Sequence, residues 1–583
     1  MTDPISGNGQ AQLGPNQRAT AWERLGSEQF DVVVIGGGVV GAGAALDAAT
    51  RGLKVALVEA RDFASGTSSR SSKMFHGGLR YLEQLEFGLV REALHERELS
   101  LTTLAPHLVK PLPFLFPLTK RWWERPYVAA GIFLYDQLGG AKSVPAQKHL
   151  LKAGALRLAP GLKRSSLIGG IRYYDTVVDD ARHTMTVART AAQYGAVVRT
   201  STQVVALLRE GDRVTGVKVR DSENGAVTEV RGHVVVNATG VWTDEIQALS
   251  KERGRFRVRA SKGVHIVVPR DRVVSEVAII LRTEKSVLFV IPWGTHWIIG
   301  TTDTDWNLDL AHPAATKADI DYILTHVNTV LATPLTHDDI DGVYAGLRPL
   351  LAGESESTSK LSREHAVAVP SPGLVSIAGG KYTTYRVMGE DAIDAAAEFV
   401  PTRVARSITE KVPLMGADGY FALVNQTEHV GAHYGLHPYR VRHLLDRYGS
   451  LIGEVLAMAS QNGVVNAELL EPITDAPVYL KVEAVYAAAA EGALHLEDIL
   501  ARRMRISIEY PHRGVDCARE VAEVVAPVLG WSPEEVDREV STYLARVEAE
   551  VQSQTQPDDE SADALRAAAP EARAEILEPV PIK

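Results

Sequence analysis

The order of hydrophobic and polar positions predicts an α/β unit near the start of the chain. Val32–Ile35 is a short β-branched run, which is typical of a fully buried parallel strand. The alanine-rich segment Ala42–Thr50 predicts a helix that ends before Gly52. Lys54–Val58 then predicts a second buried strand. We therefore expect a strand, a helix and a parallel strand in succession.

Later segments extend this pattern and add two further layers. Val234–Trp242 and Leu374–Arg386 each predict a strand, a glycine turn and a helix start. Val264–Pro269 and Val287–Gly300 predict strands of a separate antiparallel sheet. From Pro438 to Glu550 the pattern is mostly that of amphipathic helices. An apolar stripe in that region is formed by Val441, Leu444, Leu445, Tyr448, Leu451, Ile452 and Val455.

The ends of the chain differ in composition from its centre. Residues 1–29 are rich in Gly, Gln, Asn and Pro, and residues 551–583 are charged and rich in Ala and Pro. Both compositions are typical of unfolded segments, so we predict a flexible leader and a disordered tail. Between them we predict a composite nucleotide-binding and substrate domain over 30–400 and a helical domain over 401–550.

Three glycines between the first strand and its helix indicate a dinucleotide site. Gly36, Gly38 and Gly41 form G-x-G-x-x-G, which allows a tight turn, close approach of a pyrophosphate and close packing of helix on strand. Glu59 ends the second strand, where a carboxylate can accept hydrogen bonds from a ribose diol. The unit alone does not separate FAD from NAD, but its place at the N-terminal start, with similar segments far downstream, favours FAD.

Charge and cysteine content narrow the function classes. The net charge of −10 argues against nucleic acid as a partner. A single cysteine, Cys517, excludes a disulfide framework and fits a reducing compartment, and we expect no metal site. No run reaches the roughly 20 apolar residues that span a bilayer. We expect a cytoplasmic protein that lies on the inner face of the cell membrane.

One segment, Lys110–Gly140, has the composition of a membrane-surface contact. Trp122 and Trp123 are flanked by Lys120, Arg121 and Arg125, and an apolar run follows them to Leu138. Indole rings beside cations suit the headgroup layer of anionic lipid. The alternative is a buried helix that crosses between domains and carries two core tryptophans.

Five segments together resemble the FAD-dependent, membrane-associated glycerol-3-phosphate dehydrogenases. They read GGGVVGAG…VE, SSKMFHGGLRYLE, SKGVHIVVP, YAGLRPL and GGKYTTYR. The resemblance covers roughly residues 30–550 and implies a Rossmann-like FAD-binding domain with an interleaved antiparallel-sheet substrate domain, followed by a C-terminal α-helical domain. It also implies oxidation of sn-glycerol 3-phosphate to dihydroxyacetone phosphate, with FAD as hydride acceptor and a membrane quinone as electron acceptor.

The same motifs nominate the site residues. Guanidinium groups grip phosphate with paired hydrogen bonds. We therefore expect substrate contacts from Arg80, Tyr81, Arg348 and Arg363. His265 is the predicted proton acceptor, with His76 as second choice, and Lys381 is placed to stabilise developing negative charge. Besides the first glycine turn and Glu59, the expected cofactor contacts are Ser71, Ser72, Gly240, Gly380, Lys381 and Thr383.

Three other functions remain compatible with these residues. An oxygen-using glycerol-3-phosphate oxidase would share the flavin and the phosphate pocket. An amine- or amino-acid-oxidising flavoprotein of the same architecture would need one carboxylate clamp rather than three arginines. A non-catalytic flavin or nucleotide sensor would keep the fold without the reaction. The oligomeric state is open, and a homodimer is compatible with the sequence.

Overall fold

The computed structural model describes residues 11–82, 85–119, 124–139, 143–250, 257–283, 287–352, 364–461 and 464–573. Up to residue 250 its elements are α1 (Pro15–Ser27), β1 (Gln29–Ile35), α2 (Val39–Thr50), β2 (Val55–Val58), β3 (Met74–Phe75), α3 (Phe87–Leu99), β4 (Lys110–Leu118), α4 (Glu124–Gly139), β5 (Lys148–Leu151), α5 (Lys152–Leu158), β6 (Gly169–Val177), α6 (Asp180–Gln193), β7 (Val197–Arg199), β8 (Thr202–Glu210), β9 (Arg213–Asp221), β10 (Val227–Asn237) and α7 (Thr243–Ala248).

The middle of the chain adds β11 (Val258–Pro269), β12 (Ala278–Arg282), β13 (Val287–Trp293), β14 (His296–Gly300), β15 (Thr304–Trp306), α8 (Lys317–Val327), β16 (Gly342–Leu351), β17 (His365–Ser371), β18 (Leu374–Gly379) and α9 (Tyr385–Ala397). The C-terminal part contains α10 (Tyr420–Val424), α11 (Thr427–Tyr434), α12 (Pro438–Tyr448), α13 (Ile452–Met458), β19 (Ser460–Gln461), β20 (Val464–Val465), β21 (Pro472–Ile473), β22 (Ala476–Leu480), α14 (Lys481–Ala490), α15 (Ile506–Glu509), α16 (Ala518–Leu529), α17 (Pro533–Ser553) and α18 (Asp559–Ala568).

The first sheet is the predicted nucleotide-binding layer. Its strand order is β17-β18-β10-β1-β2-β7, and the β8–β9 hairpin extends it beside β10. β1 is parallel to both β2 and β10, with Val33 opposite Ala56 and Val235. Helices α2, α6 and α9 cover one face of this sheet, and α1 covers the other. Burial on both faces explains why these strands are continuous apolar runs rather than alternating ones.

The second sheet confirms the predicted antiparallel layer. Within the described residues it has ten strands, in the order β15-β11-β14-β13-β12-β4-β6-β3, with β16 beside β11 and β5 beside β6. Residues of α5 and α8 pack on one face, and residues of α3 and α4 pack on the other. Strands of this sheet come from both before and after β10, so the two sheets are interleaved along the chain. That arrangement leaves a cavity between them.

The predicted flexible leader was wrong for most of its described part. α1 is a regular helix that begins with Pro15, and its residues Ala21 and Leu25 are buried against the first sheet. The guanidinium of Arg18 donates to the carbonyl of Thr200 at 2.7 Å and to the carboxylate of Asp221 at 3.1 Å. The average composition of this segment is polar, but two apolar residues four positions apart are enough to form one buried helix face.

The C-terminal part is helical, as predicted. Six of the seven residues of the predicted apolar stripe are buried, although the left-handed Gly449 separates the helix into α12 and α13. The predicted disordered tail was wrong over the described residues 551–573. α18 lies against α17, and Arg573 is buried with an ion pair to Asp498 at 2.8 Å. These contacts offset the conformational entropy lost when the segment becomes ordered. Composition alone predicts that this entropy keeps the segment unfolded.

The predicted membrane segment divides into two different elements. Its first third is β4, whose Phe114, Leu115, Phe116 and Leu118 are buried, so this part of the prediction was wrong. Lys120, Arg121, Trp122 and Trp123 lie outside the described residues. Arg125 donates to the carbonyl of Leu150 at 3.1 Å. Among the described helices, none combines the length and the apolar content that crossing a membrane requires.

Candidate active site

A cavity of about 450 Å³ lies between the two sheets. The β1–α2 turn and Glu59 line one end of it, and residues of β11 and β16 line another part. The loop that follows β2 and the β18–α9 turn complete the wall. The cavity therefore lies at the carboxyl ends of the parallel strands, where α/β folds bind their ligands.

The glycine turn after β1 fits a pyrophosphate. Gly36 has a φ of +108°, and a Cβ there would lie 2.8 Å from the carbonyl oxygen of Ala238. Gly36 and Gly38 line the cavity, so the missing side chains leave room for phosphate oxygens beside the start of α2. Gly41 does not line it. A Cβ at Gly41 would lie 1.9 Å from the Gly36 carbonyl oxygen, so its role is to pack helix on strand.

Glu59 directly follows β2 and lines the same end of the cavity. Its Oε2 accepts a hydrogen bond from Gly37 N–H at 2.6 Å, and its Oε1 accepts one from Arg61 N–H at 2.8 Å. Burial raises the pKa of this carboxyl above its usual value. Two backbone donors thus fix the carboxylate next to the glycine turn, as a ribose contact requires. The turn and the carboxylate together fit FAD.

A test of this end of the site is Glu59→Arg. A cation in place of the fixed acceptor removes a charged hydrogen-bond partner, which costs about 1.5–3 kcal/mol, so we expect FAD affinity to fall at least tenfold. The measurement is flavin content of purified protein and its titration with added FAD. Glu210→Arg makes the same charge change at the exposed end of β8 and serves as the control. Full flavin occupancy in Glu59→Arg would contradict the assignment.

The loop after β2 brings two serines to the cavity, but they do different things. Ser71 Oγ donates to Asp180 Oδ2 at 2.6 Å, and Lys73 Nζ lies 2.9 Å from Asp180 Oδ1. The Ser71 hydroxyl is therefore engaged in holding the loop to α6. Ser72 Oγ instead lies 2.9 Å from His265 Nε2. This pair joins residues 193 positions apart, which no sequence pattern shows.

His265 is held in a defined orientation on β11. Its imidazole stacks on Tyr344 of β16, with ring centroids 4.8 Å apart and planes 12° from parallel. The opposite position on β14 is Gly300, where a Cβ would lie 2.3 Å from the imidazole. Burial, together with the charges of Arg348 and Lys73, lowers the pKa of His265 well below its usual value. The imidazole is therefore neutral near pH 7 and able to accept a proton.

Arg348 of β16 lines the cavity near His265. Its Nη2 donates to Thr301 Oγ1 at 3.0 Å and to the carbonyl of Thr302 at 3.2 Å, and its Nη1 lies 3.6 Å from Asp303 Oδ1. The side chain as a whole keeps 24% of its area exposed at the cavity wall. Thr301 and Asp303 also line the cavity and were missed by the sequence analysis, although both lie in the GTTDTDW segment after β14.

The β18–α9 turn supplies the remaining predicted contacts. Gly379 and Gly380 have left-handed backbones, and Lys381 Nζ lies 3.8 Å above the ring of Tyr81. Thr383 Oγ1 accepts from His76 N–H at 3.2 Å, which ties this turn to the loop after β2. All of these residues line the cavity, as does Gly240 at a left-handed position beyond β10. The side chain of Arg80 and the whole of Arg363 lie outside what the structure describes.

Comparisons with known proteins identify the family to which the chain belongs. A family described as "FAD dependent oxidoreductase" matches residues 31–386, and one described as "C-terminal domain of alpha-glycerophosphate oxidase" matches residues 407–536. The chain is 85% identical over 572 residues to glycerol-3-phosphate dehydrogenase 2 of Mycobacterium tuberculosis strain H37Rv, covering 98% of this chain and 97% of that protein. It is 36% identical over 555 residues to the human mitochondrial glycerol-3-phosphate dehydrogenase, covering 91% and 74% respectively.

A solved structure extends the likeness to three dimensions. The glycerol-3-phosphate dehydrogenase of Bacillus halodurans, in complex with FAD, superposes with a TM-score of 0.76 at 29% identity. The match covers 94% of this chain and 99% of that one. The agreement thus includes both sheets and the C-terminal helices.

Proposed function

Because the chain belongs to the family of FAD-dependent glycerol-3-phosphate dehydrogenases, we propose that it oxidises sn-glycerol 3-phosphate to dihydroxyacetone phosphate and passes the electrons to a membrane quinone. The observation that carries the proposal is the pairing of a neutral, buried imidazole with a cavity-facing guanidinium. His265 and Arg348 lie on neighbouring strands, and burial together with the charge of Arg348 lowers the pKa of His265. A phosphate held by Arg348 would place its carbon chain beside His265.

The chain's own residues provide binding, orientation and proton transfer. Arg348 binds the phosphate through two N–H donors, with Lys381 adding positive charge at the other wall of the cavity. Ser72 Oγ and His265 Nε2 form a hydrogen-bonded pair at the cavity wall, so the pair can take the proton of the C2 hydroxyl. FAD, when bound, supplies the acceptor for the hydride from C2.

The decisive experiment is anaerobic addition of glycerol 3-phosphate to the holoenzyme. We expect the visible flavin absorbance to be bleached and one dihydroxyacetone phosphate to form per flavin. Glycerol, which lacks the phosphate, is the matched control and should bleach the flavin poorly. An unchanged spectrum would indicate a non-catalytic flavoprotein, and hydrogen peroxide formed stoichiometrically in air would indicate an oxidase.

The proposed membrane contact rests on an exposed apolar surface around α4. One face of α4 is buried through Val128, Ile132 and Tyr135, whereas Tyr127, Phe133 and Leu134 are exposed. Leu85 and Phe87 are exposed at the start of α3, which packs beside α4. The short helix Leu79–Leu82 also contacts α4 and carries Leu79 and Tyr81 at the cavity wall. A lipid-soluble acceptor would therefore reach the protein close to the cavity.

The double substitution Phe133→Ser with Leu134→Ser tests this surface. Each apolar side chain buried in lipid stabilises binding by up to about 1.5–3 kcal/mol, so we expect at least a tenfold loss of affinity for anionic vesicles. Transfer to a long-chain quinone should slow, while reduction of a water-soluble dye stays unchanged. Phe421→Ser, at a similarly exposed position on α10, is the matched control. Unchanged vesicle co-sedimentation of the double variant would exclude this surface.

A further inference from the structure

A second, smaller cavity of about 100 Å³ lies on the opposite side of the loop that follows β2. Residues of β16, of α17 and α18, and of the π-helical turn Asp498–Arg503 contribute to its wall. Its lining is rich in guanidinium groups, which come from Arg70, Arg502, Arg505, Arg513, Arg546 and Arg566. Two carboxylates, Glu497 and Glu550, line it as well. Positive groups thus exceed negative groups by four, excluding His312, which also lines the cavity.

Some of these arginines are neutralised by acids outside the cavity. Arg502 pairs with Asp62 at 2.6 Å, and Arg505 pairs with Asp179 at 2.8 Å. Arg502 also lies 3.1 Å from Glu497, so that carboxylate is compensated.

The remaining charges are balanced less completely, although Arg546 Nη1 lies 3.5 Å from Oε1 of Glu571, outside the cavity. Arg513 and Arg566 share the single carboxylate of Glu550, at 2.5 and 2.6 Å. Arg70 donates to the carbonyl of Ala311 at 2.8 Å, and within the described part of the chain no acid lies in ion-pair contact with it. Burial and the nearby charges of Arg566 and Arg502 lower the pKa of Arg70 to about 10. This part of the wall therefore carries more guanidinium groups than carboxylates.

Three buried donor atoms on residues that line this cavity have no acceptor among the described residues. They are Arg546 Nη2, Arg566 Nε and Gln554 Nε2. The side chains of Arg546 and Arg566 are each only 10% exposed. Gln554 Oε1 accepts from Arg513 Nη2 at 3.0 Å, and this bond fixes the amide so that its nitrogen is the group left over. Buried donors are almost always hydrogen-bonded in folded proteins, so this set indicates an acceptor-rich ligand.

We propose that the second cavity binds a small tetrahedral oxyanion of the phosphate or sulfate class. Such an ion has only acceptor atoms, which match a wall whose unpaired atoms are all donors. The volume accommodates one oxyanion or several water molecules. The ion would bridge Arg546 and Arg566 of the C-terminal helices to Arg70 of the loop after β2.

The site is joined to the active-site cavity through Arg70. Arg70 lines both cavities, and Ser71 and Ser72 follow it directly in the wall of the first. An ion that neutralises Arg70 would therefore bind two residues along the chain from Ser72, which is paired with His265. The inference concerns binding alone and stands apart from the proposed reaction.

The test is equilibrium dialysis of the holoenzyme against labelled inorganic phosphate, at constant ionic strength set with chloride. We expect two phosphates per chain, one displaced by glycerol 3-phosphate and one retained. Arg348→Lys should weaken only the displaceable one. A single phosphate that glycerol 3-phosphate displaces completely would overturn the proposal, whatever the variants do. Failure of the enzyme to oxidise glycerol 3-phosphate would leave this stoichiometry unaffected.

The variant that addresses the second site is Gln554→Glu. It keeps the size of the side chain and the oxygen that accepts from Arg513, but it replaces the unpaired donor by a negative charge. We expect the retained phosphate to bind at least tenfold more weakly, and the rise of Tm caused by phosphate in the wild type to disappear. Gln552→Glu adds the same charge on the exposed face of α17 and should behave as the wild type.

Arg546→Met gives an independent variant should Gln554→Glu fold poorly. It should show the same loss of the retained phosphate. If either folded variant binds phosphate with the stoichiometry and affinity of the wild type, the unpaired donors are hydrogen-bonded to water. That result would overturn the proposal.

Discussion

His265→Gln is expected to lower kcat for glycerol 3-phosphate by about 10²–10³-fold, within the range for loss of a general base. Glutamine fits the space between Tyr344 and Gly300 but cannot take a proton, so KM should change little. The measurement is steady-state turnover with a soluble dye, with flavin content determined in parallel. His433→Gln, at an exposed position on α11, is the control. Unchanged turnover in His265→Gln would move the base elsewhere, with His76 as the next residue to replace.

The pH profile gives a second check on the same residue. The base acts in its neutral form, and burial beside Arg348 and Lys73 lowers its pKa well below 6.5. Activity is therefore fully present at pH 7 and is lost only as pH falls through this lowered pKa. We expect kcat, measured at saturating glycerol 3-phosphate, to stay flat from pH 7 down to at least pH 6. An acid limb with a midpoint near 6.5 or above would contradict the environment described for His265.

Arg348→Lys is expected to raise KM for glycerol 3-phosphate by about 10–100-fold, with flavin content intact. Lysine keeps the charge but loses the planar pair of donors, and a charged hydrogen bond is worth about 1.5–3 kcal/mol. The substitution also removes the bond to Thr301, which destabilises the free and the substrate-bound enzyme equally. Kinetics with glycerol 3-phosphate decide the result. Arg272→Lys, in an exposed ion pair with Asp339, is the matched control.

The outcome that contradicts this prediction is also clear from the structure. Asp303 lies 3.6 Å from Arg348 Nη1, so the guanidinium could serve only to hold the segment after β14. In that case Arg348→Lys would leave KM unchanged and would lower Tm instead. Measuring both quantities on one preparation separates a substrate contact from a purely structural ion pair.

The parts of the fold that were predicted correctly are those set by local patterns. The buried strands around Val33 and the glycine turn at Gly36 follow from residues within about thirty positions of each other. The strand of His265 and the helical stripe beginning at Val441 are local patterns of the same kind. In each case periodicity and turn chemistry agree with the final packing, and this agreement is why these elements could be predicted from the sequence.

The parts that were missed depend on contacts between distant residues. The sequence around Phe114 is compatible with a core residue or with a lipid contact. Only its neighbours in the second sheet show that it belongs to the core. The described part of the tail is ordered because Arg566 and Arg573 form ion pairs with carboxylates contributed by other elements. The bond from Ser72 to His265, on which the proposed proton transfer rests, joins two motifs that sequence analysis treats separately. None of these partners can be identified from composition or spacing.

The turn after β7 is contacted by residues near both ends of the described chain, so its contacts form at different times during synthesis. Arg18 donates to the carbonyl of Thr200, and Arg573 donates to Ser201 Oγ at 2.8 Å. During translation the first contact becomes possible once Thr200 has been made, whereas the second must wait for Arg573. Strands β1, β2 and β7 of the nucleotide-binding sheet can thus pair early during translation, but the turn after β7 is closed only once Arg573 has been made. A stop codon placed shortly before Arg573 would leave that closing step undone.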